Sequence, residues 1–185
     1  MAGHRTPAPE SDEITEDIFQ RLREDHVRVL GELAELERAG AAAASAEAIA
    51  QARELVALLE RQFATHMAAE DEVLFPALAR DLEGGSALMA PLHEEHDELK
   101  VMLAVLAGTL REPQSVARDE QVVVQIRDLT DLLRIHIRKE ETLVFGVAER
   151  VLKPFERAEL AARRTPGRRP ASPDHPNTGS KGTCI

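Results

Sequence analysis

Four histidines and two glutamates fall on positions that helical periodicity assigns to an apolar interior: His26, His66, Glu70, His96, His136 and Glu140. Residues four apart on a helix share one face, with Cβ atoms about 5–6 Å apart. The pairs His66/Glu70 and His136/Glu140 therefore each aim one nitrogen and one carboxylate the same way. A carboxylate on a core seam is costly unless its charge is compensated. No seam position carries Lys or Arg to pair with Glu70 or Glu140. Bound cations would neutralise both acids at once. Two cations side by side suit the six side chains: two histidines on each, both carboxylates bridging, and a water-derived oxygen completing five bonds. One position on each cation would stay open for a small ligand. Without a metal, six buried polar groups would have to satisfy one another. Mixed imidazole and carboxylate donors accept iron, manganese, zinc or cobalt, so the residues alone leave the metal open.

The elements that must present these side chains are helices. Apolar residues recur at steps of three and four, which keep one face toward a common axis. The seams run Phe19, Leu22, His26, Val29, Leu33, Leu36; then Ile49, Ala52, Val56, Leu59, Phe63, His66, Glu70, Val73; then Met89, Leu92, His96, Leu99, Leu103, Leu106; then Val122, Ile126, Leu129, Leu133, His136, Glu140, Leu143, Val147. The first helix spans about Ile14–Arg38 and ends at Gly40. The second spans about Ser45–Arg80, with Ser45 as N-cap and a bend at Pro76. Gly84-Gly85 make a turn, the third spans about Ser86–Leu110, and the fourth about Ser115–Leu152. Short connections make neighbouring helices antiparallel. The fold class is all-α: an up-down antiparallel four-helix bundle over residues 14–152. Residues 153–162, opening on Pro154, read as a short further helix. Residues 1–13 and 163–185 read as a disordered N-terminus and a flexible basic tail.

The bundle is one helix pair used twice. A shift of 70 residues lays His26 on His96, His66 on His136, Glu70 on Glu140 and Phe75 on Phe145. One helix pair cannot bury its apolar face alone, whereas two together can. The polar matches are the informative ones, since apolar matches arise in any heptad pattern. His93 has no such mate: its counterpart is Arg23. Lying about 60° of helix rotation from His96, it reads as an outer-shell or surface residue. Asp71 and Glu141 follow the glutamates by one residue and should rotate off the seam into solvent. Phe75 and Phe145 read as core packing rather than as a plug over an oxidant pocket.

These motifs carry a resemblance. DHVRVL around His26, HMAAEDEVLFP from His66, EHDEL around His96 and HIRKEETLVF from His136 resemble the hemerythrin family in its HHE cation-binding branch. The likeness spans about residues 14–152. It implies a non-heme centre of two iron ions (Fe2+/Fe3+) with a bridging oxo or hydroxo group. It also implies a small-molecule partner: dioxygen, hydrogen peroxide or nitric oxide, in an oxygen or oxidative-stress response. Oxygen-carrying members have two histidines four apart on the third helix, where this chain's extra histidine is His93, three before His96. They also end on a His and an Asp five apart, where this chain has His136 and Glu140 four apart. Both departures argue against simple oxygen carriage. A peroxide-consuming or small-molecule-oxidising enzyme and an iron-sensing or iron-handling module remain alternatives. A ferritin-like centre would instead show Glu-x-x-His spacing and mostly carboxylates.

Composition is consistent with this. Aromatics are 3% of 185 residues, with no Trp and no Tyr, so the core is aliphatic and no Tyr or Trp radical is available. The net charge of −10 argues against general nucleic-acid binding. From Ala161 onward Arg163, Arg164, Arg168, Arg169 and Lys181 face Asp174 alone, a tail of +4 that leaves −14 on residues 1–160. The single cysteine, Cys184, permits neither an internal disulfide nor a Cys-based zinc site. The opening MAGHRTPAPESDE has no apolar run, and no stretch reaches membrane-spanning length, so a cytoplasmic protein without membrane contact is expected.

Overall fold

The computed structural model describes residues 17–164. The expectations for residues 1–13, for the tail beyond Arg164 and for Cys184 lie outside the described residues. Helix α1 is Ile18–Ala41, and the Asp17 carboxylate caps it by accepting from the Phe19 N–H at 2.9 Å. Helix α2, Ala46–Ala69, starts on Ser45, whose hydroxyl accepts from the Ala48 N–H. It runs through a π-helical turn, Glu70–Leu74, into α3, Phe75–Asp81. Helix α4 is Gly85–Thr109 and carries Pro91 in its early part. Helix α5, Val116–Lys139, capped by Ser115, passes through a second π-helical turn, Glu140–Val144, into α6, Phe145–Val151. Helix α7 is Pro154–Arg164.

Four long rods result: α1, α2–α3, α4 and α5–α6. Each of α1 and α4 packs against both α2 and α5, the arrangement of an up-down bundle. The turn from α3 to α4 is tight. Gly84 takes φ +73°, which only glycine adopts without strain, and a Cβ on Gly85 would lie 2.6 Å from the Leu78 carbonyl oxygen. Helix α7 lies against α1 and the first π-turn, with Leu160 and Ala161 buried.

The core has two apolar halves. One runs from Val29, Leu33 and Leu36 through Leu59, Leu103 and Leu129. The other gathers Phe19, Leu22, Phe75, Leu78, Phe145 and Leu160. The seam breaks between them at His26 on α1, and at the matching level of the other rods.

The π-turns correct the sequence reading of the second and fourth seams. The Phe75 N–H reaches back five residues to the Glu70 carbonyl, and the Phe145 N–H to that of Glu140. Each turn holds one residue more than an α-turn, so the apolar phase slips by one. Leu143, expected on the seam, is 61% exposed, and Val144 is buried in its place. Val73 is likewise half-buried while Leu74 is fully buried, and Ala148 rather than Val147 faces inward. Pro76 does not cause the change. The second π-turn has Gly146 at the matching position, and both turns start at a seam glutamate.

Candidate metal centre

The bundle brings all six predicted residues together at the level where the two apolar halves meet. His26, His66, Glu70, His96, His136 and Glu140 are all buried, both glutamates completely. They form two groups with Glu70 and Glu140 in common. One adds His26 and His66 and the other His96 and His136, and within each group the ligand-capable atoms lie within 4.8 Å of one another. The Nε2 atoms of His26 and His66 are 3.2 Å apart, and so are those of His96 and His136. Glu140 lies among all four rings, 2.8 Å from His136 Nε2, 3.1 Å from His26 Nε2, 3.6 Å from His96 Nε2 and 3.9 Å from His66 Nε2. Glu70 sits 3.4 Å from both His66 Nε2 and His96 Nε2.

The outer ring nitrogens explain why the inner ones face the axis. His26 Nδ1 lies 3.0 Å from Glu141 Oε1, and His96 Nδ1 2.8 Å from Asp71 Oδ1. His136 Nδ1 lies 3.0 Å from Glu95 Oε2, and His66 Nδ1 3.4 Å from Asp25 Oδ2. A carboxylate on Nδ1 fixes the proton there and leaves the Nε2 lone pair pointing inward, as outer-shell partners of metal-bound histidines do. Asp71 and Glu141 were expected in solvent. Glu141 is exposed and Asp71 half-buried, and rotation off the seam also carries both to the flank facing the neighbouring rod, within reach of an imidazole. Sequence reasoning missed Asp25 and Glu95 altogether. The 70-residue shift contains them, since it lays Asp25 on Glu95 and Asp71 on Glu141.

His93 is exposed, with Nδ1 2.9 Å from the same Asp71 oxygen and its ring edge-on to Phe75. Asp71, His93 and His96 thus make a third, half-exposed cluster. Phe145 stacks on His26 with ring centroids 5.6 Å apart, and Phe75 on His96 at 5.7 Å. These rings pack directly on the imidazoles and close one side of the centre.

Charge inside the cluster favours a cation. All four carboxylate oxygens of Glu70 and Glu140 are buried without a hydrogen-bond partner among the described residues. Burial and the neighbouring Glu140 push the Glu70 carboxyl above its ordinary range. Burial opposes ionisation of Glu140 too, yet contacts with His136, His26, His66 and His96 hold it well below that range. Burial alone would lower His66, but Glu70, Asp25 and Glu140 outweigh it and raise it to about 10. His96 reaches about 10 in the same way, against burial and through Glu140, Glu70 and Asp71. His136 is also raised, against burial, chiefly by Glu140. Without a metal, the cluster recruits protons to supply the positive charge that its carboxylates demand. The residues present therefore fit a bound cation.

No helix among the described residues is long and apolar enough to cross a membrane. Comparison with curated proteins finds no match. Comparison with protein families finds the hemerythrin HHE cation binding domain over residues 17–148, a stretch that holds all six clustered residues. The chain belongs to the hemerythrin family.

Proposed function

We propose that His26, His66, Glu70, His96, His136 and Glu140 hold two iron ions and that the centre binds dioxygen, hydrogen peroxide or nitric oxide in a redox or oxygen-response role. The observation that carries this reading is the pair of buried glutamates, whose four oxygens face only imidazole nitrogens among the described residues, set between two pairs of inward-facing imidazoles. His26 and His66 serve one ion, His96 and His136 the other, and Glu70 and Glu140 reach both. Iron rather than another divalent metal is what the resemblance to hemerythrins supports, since this donor set does not discriminate strongly. Iron held here supplies one-electron redox chemistry and a coordination position for a small ligand.

The protein's own groups tune that chemistry. Asp25, Asp71, Glu95 and Glu141 orient the imidazoles and raise their basicity. Phe75 and Phe145 keep water from one side. Among the described residues the centre's immediate wall offers no thiol or phenol, which favours gas and peroxide chemistry over oxidation of a large substrate.

Reconstitution of the full chain with ferrous iron under anaerobic conditions, followed by metal analysis and optical spectra, tests the reading. Two irons per chain and new bands on adding air, peroxide or nitric oxide are expected. Reversible bands indicate a carrier or sensor, and irreversible oxidation with peroxide turnover indicates an oxidoreductase. Glu140→Ala should retain at most one iron, and two irons retained by that variant would count against the bridging role.

A further inference from the structure

We propose that Asp71 and His93, with the outer nitrogen of His96 behind them, form a separate, solvent-facing site for one divalent ion of the zinc class. The site stands on three side chains at the flank of the bundle and not on what fills the inner positions.

Three donor atoms converge there. Asp71 Oδ1 lies 2.9 Å from His93 Nδ1 and 2.8 Å from His96 Nδ1, and the ligand atoms of the three residues all lie within 4.8 Å of one another. Ligand atoms bonded to one zinc ion at about 2.0–2.1 Å stand about 2.9–3.4 Å apart, from octahedral to tetrahedral geometry. The observed spacings sit at the lower edge of that range, so an ion needs only small shifts, which the exposed His93 side chain can make. Two imidazoles and one carboxylate, with water in the remaining positions, are a donor set that zinc accepts.

One phenyl ring sets both imidazoles. Phe75 stands edge-on to His93 with ring centroids 5.2 Å apart and stacks on His96 at 5.7 Å. Ordering of the ligands is therefore largely done before an ion arrives. The His93 side chain is 46% exposed and that of Asp71 25%, so an ion reaches them without opening the bundle. His96 is fully buried and belongs to both sites. A neutral imidazole has one free lone pair. Once an inner ion takes His96 Nε2, Nδ1 keeps its proton, and the outer ion is left with His93 and Asp71. The outer ion is thus the weakest held of three.

The other half of the bundle cannot form this site. The 70-residue shift lays His26 on His96, Glu141 on Asp71 and Phe145 on Phe75, but Arg23 on His93. Arg23 pairs with Glu149 at 2.6 Å and covers the Phe145 ring at 5.4 Å. A guanidinium stays protonated and offers an ion no lone pair. The repeat therefore keeps the surroundings and changes the one residue that decides ligation.

Titration of the metal-free full chain with zinc(II) alone, read by calorimetry, metal analysis and the NMR signals of the histidine rings, tests the site. Three ions per chain are expected, two tight and one weaker, with the His93 signals moving in the weaker step. His93→Ala should lose that step and keep the other two. So should His93→Arg, which copies the side chain that the other half accommodates. Asp71→Asn should lose the weaker step as well. Saturation of the wild-type chain at two ions would overturn the outer site and leave the two-metal reading standing. A third ion that survives in both His93 variants, or in Asp71→Asn, would do the same. A single ion, lost in His93→Ala with none remaining, would support the outer site and overturn the two-metal reading. Uptake of no zinc would overturn both.

Discussion

Replacing Glu70 by leucine should stabilise the metal-free protein and abolish most of its response to metal. Leucine has nearly the volume of glutamate and no polar atoms. Both Glu70 carboxylate oxygens are buried with no hydrogen-bond partner of good geometry among the described residues. Leaving such atoms unmatched costs about 1–3 kcal/mol each. Against this stands attraction to His66 and His96, each at 3.4 Å. Exchanging a whole buried ionic set for packed apolar groups comes out neutral to about 4 kcal/mol stabilising, whereas removing one partner costs about 3–5 kcal/mol if it strands a charge. His66 and His96 avoid that cost near neutral pH by releasing their protons once Glu70, which raises both, is gone. A net gain of about 1–3 kcal/mol is expected, or a melting temperature higher by about 2–10 °C for a chain of this size. The gain should also depend on pH. Glu70 has a folded-state pKa above its unfolded value of 4.5. Between those values the native state holds the extra proton, so wild-type stability falls as pH rises above 4.5. The advantage of leucine should therefore be larger at pH 7 than at pH 4. Metal reverses the ranking. Two independent ions, each at 100 times its dissociation constant, stabilise wild type by about 2.7 kcal/mol apiece. The variant loses most of that. Differential scanning calorimetry with and without ferrous iron or cobalt(II) reads both effects. The reasoning fails if the metal-free variant melts below wild type, or if it keeps the full metal-induced rise.

Three more outcomes follow from particular contacts. His66 and His96 are pushed up to about 10 from the ordinary imidazole value of 6.5, so their protonation stabilises the metal-free fold below pH 6.5 and that contribution is lost as pH climbs toward 10. Metal must displace the same protons, so affinity should rise over this window, and melting curves with and without metal should diverge as pH increases. Leu143→Ser should change stability by less than about 0.5 kcal/mol, whereas Val144→Ser should cost at least about 2 kcal/mol; the reverse order in denaturant melts would reject the π-turn phase. Gly85→Ala should cost about 1–3 kcal/mol, because its Cβ would meet backbone at 2.6 and 2.8 Å, while Gly40→Ala should cost less, since there the clash is with the movable Cδ1 of Ile126.

The sequence was most legible where one side chain alone decides the matter. A leucine at Leu33 or a histidine at His136 either continues the 3-4 alternation or breaks it, and the four rods follow from that. The six inward residues were legible because a carboxylate on an apolar seam is costly enough to demand an explanation. The π-turns were not legible. Periodicity over EDEVLFP and EETLVFG is nearly the same for an α-turn ending on Val73 and Leu143 and for a wider turn ending on Leu74 and Val144. The choice is made by tertiary packing, which sets Phe75 and Phe145 against His96 and His26.

The outer carboxylates were hidden for a related reason. Asp25, Asp71, Glu95 and Glu141 are ordinary residues for helix flanks, and only a partner on another rod gives each a role. Their pairing follows the pseudo-twofold relation of the halves: Glu141 of the second half holds His26 of the first, and Asp71 of the first holds His96 of the second. His66 and His136 are instead held within their own halves, by Asp25 and Glu95. Each half thus depends on the other for one ring and on itself for the second. Separating the halves would strip His26 and His96 of their partners as well as expose the apolar seams, since both core clusters draw on both halves. The centre, like the oily core, therefore requires these two helix pairs to meet, and the crossed carboxylates fix their register.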